Sequence, residues 1–495
     1  MNVKYIISIC PAAFLIFLCS CEKIEKPEAL AKRHCSTCHA FTDPSLLNKR
    51  IWESGVLPEM AYRMGLDLSR LPMTSKDELS EILKTIPATP SVTEEEWKVI
   101  QEYFVTNAPD TLTSPGPKEF SALEQFTPSQ FRLPVDNNKT ISMIRFDDHY
   151  RNFFIGTRKG KVYQLTASLD LRDSFQVKSP PSDLIVNKAG NMLVSLMGIM
   201  DPNDKPAGSV IQLSGLKHDP QTMIDSIKRP VDIQQADLNN DQDEDLLISA
   251  FGNFTGGLYA FEKNGEEYFQ HVIHNFPGTR KTIVRDFNND GLPDILALIT
   301  QANEQVALFT NRGNFRFSYQ VLLKFPPVYG SSYFELYDFN SDGNPDILYT
   351  NGDNADYSVI LKPYHGVRIF LNDGKNHFEQ SWFFPMYGAS MARAADFDDD
   401  GDPDIAAISY FPDFQNHPEH GFIYFENDSG NFTPHITRLA ASSRWITMES
   451  ADIDNDHDID LILGALTFPN GVPDSLFQVW RKNETSLLIL KNNLR

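Results

Sequence analysis

The sequence predicts a multidomain protein, with a small all-α domain followed by an all-β, seven-bladed propeller. Three observations predict it. All five cysteines lie before residue 40, in a helix-patterned N-terminal part that carries a C-x-x-C-H motif. A nine-residue acidic loop then recurs five times, with successive starts 49, 52, 58 and 56 residues apart. After each copy come an apolar run and two further strand patterns set off by Gly, Asn and Asp turns. Four short strands per repeat at such a period make a propeller blade.

The chain has 495 residues and a formal net charge of -22. Nucleic acid is excluded as a partner, because its binding rests on Lys and Arg at phosphates. Much of the acid sits in the five loops, so the charge is organised. A disulfide-stapled fold would spread its cysteines along the chain, and this one has none after Cys38.

The expected domains are a leader over 1–21, a first domain over 22–110, a linker over 111–124 and the propeller over 125–495. In the leader, Lys4 precedes an apolar run from Ile6 to Leu18. That run is too short to span a bilayer comfortably and reads as an export signal. It ends in Leu18-Cys19-Ser20-Cys21, which resembles a bacterial lipobox. The resemblance implies cleavage before Cys21, acylation of its thiol, and an envelope protein lipid-anchored to the membrane, facing the periplasm or the cell surface. Cys10 and Cys19 would leave with the leader.

Cys35-Ser36-Thr37-Cys38-His39 is the attachment pattern of c-type haem: two thiols for the vinyl groups and His39 as proximal iron ligand. A zinc site would need further Cys or His nearby, and none occurs from Ala40 to Asp147. A redox Cys pair would need a thioredoxin-type domain, and no such pattern follows. For the distal ligand, His34 adjoins Cys35 and cannot readily cross the haem, which leaves methionine. Met60 is favoured, after Pro58 in a turn; Met64 and Met73 remain open. Glu28 to His34 reads as a first helix. Val92 to Pro109 reads as a last one, with Thr93 and Glu96 as a capping box and Trp97, Ile100 and Phe104 at helical spacing. Over residues 22–110 the chain resembles a class I cytochrome c, although its gap from His39 to Met60 is short. The resemblance implies that first and last helices cross, with Trp97, Tyr103 and Phe104 packed there.

Asp110 to Lys118 is a Pro, Ser and Thr-rich break. Two units without acidic loops follow, Ile141 to Leu165 and Ser182 to Leu213. With the five acidic repeats they make seven. The last repeat ends on its third strand, LLILKNNLR, and the segment around Gln130 to Pro134 is expected to supply the fourth, closing the ring and removing an open edge.

The loops follow D-x-[DN]-x-D-x-x-x-D. Their oxygen-bearing positions are Asp237, Asn239, Asp241 and Asp245; Asp286, Asn288, Asp290 and Asp294; Asp338, Asn340, Asp342 and Asp346; Asp396, Asp398, Asp400 and Asp404; Asp452, Asp454, Asp456 and Asp460. Such hard oxygens at short spacing suit calcium, up to five ions in a structural role. Gly291, Gly343 and Gly401 allow the tight turn at the sixth position, where Gln242 and His457 stand in the outer copies. The pattern resembles the FG-GAP or VCBS calcium loops of integrin-like propellers, over roughly residues 230–495.

On the opposite face, Gly278, Gly330 and Gly388 each precede their loop's first Asp by eight residues. Nearby stand Arg280, Lys281, Tyr329, Tyr333, Tyr387, Arg393, Arg444 and Trp445. Glu335, Arg393 and Glu449 occupy equivalent positions on innermost strands and are expected to line the channel as ion pairs, or to join a ligand pocket. No nucleophile-elbow, dinucleotide or catalytic zinc motif is present. The leading expectation is an electron-transfer lipoprotein whose propeller docks a redox partner or binds a small-molecule or glycan ligand. The alternatives are an oxidoreductase whose propeller face oxidises a small substrate and passes electrons to haem, and an adhesion protein with an accessory cytochrome.

Overall fold

A computed structural model describes residues 25–71, 74, 76–115, 118–133, 140–214, 219–354 and 360–494. Cys10, Cys19, Cys21, Met73 and Pro134 lie outside them.

Seven sheets, each with four antiparallel strands and one carrying a fifth, parallel strand, form a seven-bladed propeller. The innermost strands are Ile141–Asp147, Pro181–Val186, Pro230–Ala236, Thr279–Arg285, Ser331–Tyr337, Ala389–Ala395 and Trp445–Ala451, numbered here as blades 1 to 7. The second strands of blades 3 to 7 are buried along their whole length. Neighbouring blades cover both faces of each, which is why they read as unbroken apolar runs. Ring closure comes from Phe126–Phe131, which pairs antiparallel with Leu487–Asn492. The closing strand thus begins four residues before the expected Gln130. Phe126 anchors it, buried against Phe397 and Tyr424.

All seven innermost strands carry a register shift at the same place, after their first residue. A bulge re-aims side chains, and here it presents Asp183, Asp232, Lys281 and Tyr333 around one end of the channel. Sequence reading missed the helix Asp474–Lys482 in blade 7. Its Trp480 is buried edge-on to Phe414 and donates its indole N–H to the Ala441 carbonyl at 2.7 Å.

The N-terminal part is helical. Helix Pro27–Cys35 packs on helix Glu94–Asn107. Thr93 and Glu96 form the expected capping box, worth about 1 kcal/mol. Trp97, Ile100 and Phe104 are buried with Leu30, Ala31 and Trp52. Met60 lies in helix Leu57–Arg63 rather than in a turn. A π-helical turn, Trp52–Val56, feeds that helix, and such turns gather at functional sites.

This helical unit sits on the bulged end of the propeller. Val328 and Ile360 of blade 5 pack into its core, and Tyr364 donates its hydroxyl to the Leu46 carbonyl at 2.9 Å. Across the face, the Asp204 amide donates to Glu78 at 2.9 Å, and Lys228 stands 3.8 Å from Glu81. Between helix and ring, Ser121–Ala122 pairs in parallel with the outer strand of blade 6, and Phe120 packs on Phe384 and His420.

Candidate functional site

Cys35 ends the first helix, and Cys38 and His39 follow in the turn beyond it. Both thiols are free. Cys35 is partly buried, and burial raises its pKa to about 11; Cys38 is exposed. His39 Nδ1 lies 2.8 Å from the Ala40 carbonyl. A carbonyl only accepts, so Nδ1 carries the proton and Nε2 keeps its lone pair, the arrangement of a metal-ligating imidazole. His34 lines the same cavity, and its Nε2 lies 3.6 Å from Glu96 on the last helix.

Cys35, Cys38, His39, Met60 and Met64 all line one cavity of about 1530 Å³, with Trp52 and Phe104 among its apolar walls. The cavity brings two thiols, an imidazole with a free nitrogen and two thioethers onto the walls of one space. That donor set fits a covalently held haem with His and Met ligands.

The far wall of the same cavity is the propeller mouth, including Arg145, Asp232, Lys281 and Tyr333. Deeper in the channel Arg393 bridges Glu335 and Glu449, at 3.0 Å to each. Arg145 adds Asp183 at 2.7 Å and reaches Glu449 at 3.7 Å. These charges pair with one another, and several carboxylates also bind the next blade's backbone. The Ile233 amide donates to Asp183, Thr282 to Asp232 and Ala394 to Glu335. The ring is therefore stitched from blade to blade through its channel. Two residues expected on this face lie in the core instead. Trp445 is buried, with its indole N–H on the Ala440 carbonyl. Arg444 is sandwiched among Tyr410, Phe411 and Phe414.

The five acidic loops share one conformation. The first Asp accepts the amides of positions five and six in the first four loops, as in Asp338 with Asp342 at 3.1 Å and Gly343 at 2.8 Å. In the last loop Asp452 accepts the Asn455 amide instead. Position six has positive φ in all five, at Gln242 and His457 as well as at the glycines. In two loops the first, third and ninth carboxylates converge: Asp396 with Asp398 and Asp404, and Asp452 with Asp454 and Asp460. Their oxygens lie within 4.8 Å of one another. Burial, with help from neighbouring Asp charges, raises Asp398 to about 6, Asp404 to about 7 and Asp460 to about 6.

The ninth Asp does more than its spacing suggests. Asp245, Asp294, Asp346, Asp404 and Asp460 are fully buried. One oxygen of each accepts the amide of its loop's second residue, and the other accepts an amide at the end of the third strand. In blades 4 to 7 that amide belongs to an asparagine: Asn311, Asn372, Asn427 or Asn492. The asparagine side chain also donates to the carbonyl just before the Asp. These asparagines were missed from sequence, where their only signal is an Asn closing each third strand.

The FG-GAP-like repeat family matches at residues 286–349 and 350–407, so the chain carries FG-GAP-like repeats across blades 4 to 6. No curated protein matches the chain. Among solved structures it is similar to the Neurospora crassa Pan2 WD40 domain, at 10% identity over 76% of this chain and 98% of that one, TM-score 0.47. It is also similar to the Myceliophteria thermophila Cps50 (Swd1) beta-propeller domain, at 12% identity, 74% and 98% coverage and TM-score 0.45.

Proposed function

We propose that this is a c-type haem protein of the cell envelope that transfers electrons, with its FG-GAP-bearing propeller as the binding module. One observation carries the reading: the C-x-x-C-H thiols, the His39 imidazole and two methionines open into a single cavity walled by the propeller mouth. Cys35 and Cys38 would hold the group by thioether bonds. His39 Nε2, with Met60 or Met64, would supply the protein's ligands to it. Bound haem supplies one-electron exchange, and Met/His ligation suits electron transfer over oxygen chemistry. The Ala40 carbonyl orients the His39 ring, and Trp52 and Phe104 keep water from the cavity wall. Calcium in the acidic loops and a lipid on Cys21 belong to the same proposal. Among the described residues no helix is long and apolar enough to cross a membrane.

The test is an absorption spectrum of the full-length protein made with haem-attachment machinery. A covalent c-type spectrum is expected, lost in C35S/C38S and altered in H39A. Met60→Ala, Met64→Ala and Met73→Ala, made singly, identify the distal ligand by loss of the methionine–iron signature. No covalent haem, or an unaltered spectrum in H39A, would overturn the reading. A second reading, a substrate oxidised beside the haem, is favoured by the continuity of the cavity with the propeller mouth. Reduction of the oxidised protein by one class among sugars, alcohols and amines would support it.

A further inference from the structure

Eight residues before the first Asp of the first four acidic loops, the chain makes the same left-handed turn into its innermost strand. Gly278, Gly330 and Gly388 stand there in three blades, with φ of +92°, +60° and +66°; a Cβ on them would meet a carbonyl oxygen at 2.2, 2.3 and 2.4 Å. Blade 3 has Arg229 at this position, also left-handed, at φ 45°. A side chain is disfavoured in that conformation, and backbone strain of this kind gathers at ligand sites.

Arg229 faces the cavity below the helical unit. Its Nη1 donates to the Gly252 carbonyl at 2.6 Å and its Nη2 to the Met200 carbonyl at 3.2 Å. Its Nε is buried without a partner. Arg280 and Lys281, from the next blade, line the same cavity. Burial and the charge of Arg280 together pull the Arg229 pKa down to about 10. Arg280 meets Asp353 at 3.4 Å. Lys281 donates to the Tyr333 hydroxyl at 3.2 Å and lies over its ring. Among the described residues no carboxylate lies within ion-pair distance of Arg229 or Lys281. Carboxylates reach both only at longer range, Asp204, Asp201 and Asp353 acting on Arg229 and Asp232 on Lys281, so neither half-buried cation has an oppositely charged group in contact with it in the cavity that both line.

We infer that Arg229, Arg280 and Lys281 form a carboxylate-binding site on the propeller side of the cavity, across from the C-x-x-C-H motif. With both Nη groups of Arg229 on backbone carbonyls, its Nε–H is the donor left for a planar carboxylate, beside the Arg280 guanidinium and the Lys281 ammonium. Asp232, Glu304 and Asp353 in the same cavity would repel a doubly charged phosphate more strongly. The carboxylate has two sources: the propionates of a haem held at Cys35 and Cys38, or a free small carboxylate. The first source rests on the reading above; the site itself does not.

Succinate is the probe and succinamide the neutral control, titrated calorimetrically into the full-length chain made with and without attached haem. The haem-free chain should bind succinate and not succinamide. R229G, R280Q and K281Q should each weaken that binding at least tenfold. R229G relieves the left-handed backbone but loses two carbonyl hydrogen bonds, so its melting temperature is read beside the titration, and K281Q, which leaves those bonds in place, must lose binding as well. If propionates fill the site, the haem-loaded chain no longer takes succinate, and R229G lowers its reduction potential by removing a positive charge near the iron. If a free carboxylate is the ligand, the loaded chain binds succinate as tightly as the haem-free one. Absence of covalent haem would sink the electron-transfer reading and leave the succinate titration to decide the site. The inference is overturned if all three variants bind as the parent does, or if the haem-free chain binds nothing and the potential of the loaded chain is unmoved by R229G.

Discussion

His365 is buried between Lys362 and Arg368, and burial followed by those charges holds its imidazole well below the ordinary 6.5. The folded chain therefore keeps this ring neutral where the unfolded chain protonates it. The stability it contributes is complete above pH 6.5 and falls as pH drops below that value, by up to about 1.4 kcal/mol per pH unit. His365→Gln should flatten the acid limb of a stability-against-pH curve by that slope, read from denaturant midpoints between pH 7 and 5; an unchanged limb would count against it. Gln242 makes a second test at this scale. It holds φ 75° where three other loops have glycine. Gln242→Gly should raise stability by about 1 kcal/mol, measured by denaturant unfolding. At Gln242 and His457 the sequence shows only an absent glycine, not the backbone that bends to positive φ regardless.

At the scale of the element, each acidic loop joins two functions that the spacing did not separate. The first position is half-buried and anchors the turn by accepting its amides, whereas the ninth Asp is a fully buried acceptor tying three strands together. The motif was legible because its positions are fixed relative to one another. Its asparagine partner was not, because that residue lies beyond a connection whose length changes: Asn311 follows Asp294 closely, while Asn492 follows Asp460 across a whole helix. A chelator should lower the melting temperature by several degrees at pH 7.5. Asp398, Asp404 and Asp460 have raised folded pKa values. A raised carboxyl costs the metal-free fold most above its folded pKa, and the cost vanishes below its unfolded pKa near 4. The chelator effect should therefore shrink steadily from pH 7.5 to pH 5 in calorimetric scans. A chelator effect that is absent, or that grows on acidification, would count against calcium in these loops.

For the whole molecule, seven blades and the identity of the closing segment were legible, since strand periodicity and a repeat one strand short leave few other solutions. The seating of the helical unit was not, because it rests on scattered pairs such as Leu46 with Tyr364 and Glu78 with Asp204, which no local pattern announces. Phe126→Ala should cost about 3–5 kcal/mol and expose the edge of Leu487–Asn492, seen as faster amide exchange there than in the second strands. Protection of that strand equal to wild type would mean that closure does not depend on this anchor. The closure also sets an order of events. The ring cannot shut until Leu487–Asn492 has been made, long after Cys35 and Cys38 have emerged. During that interval the thiols stand on a short helical unit with no propeller beneath them. Whatever becomes bonded to them can be fitted in the open, and the propeller then folds up against it as the cavity's second wall.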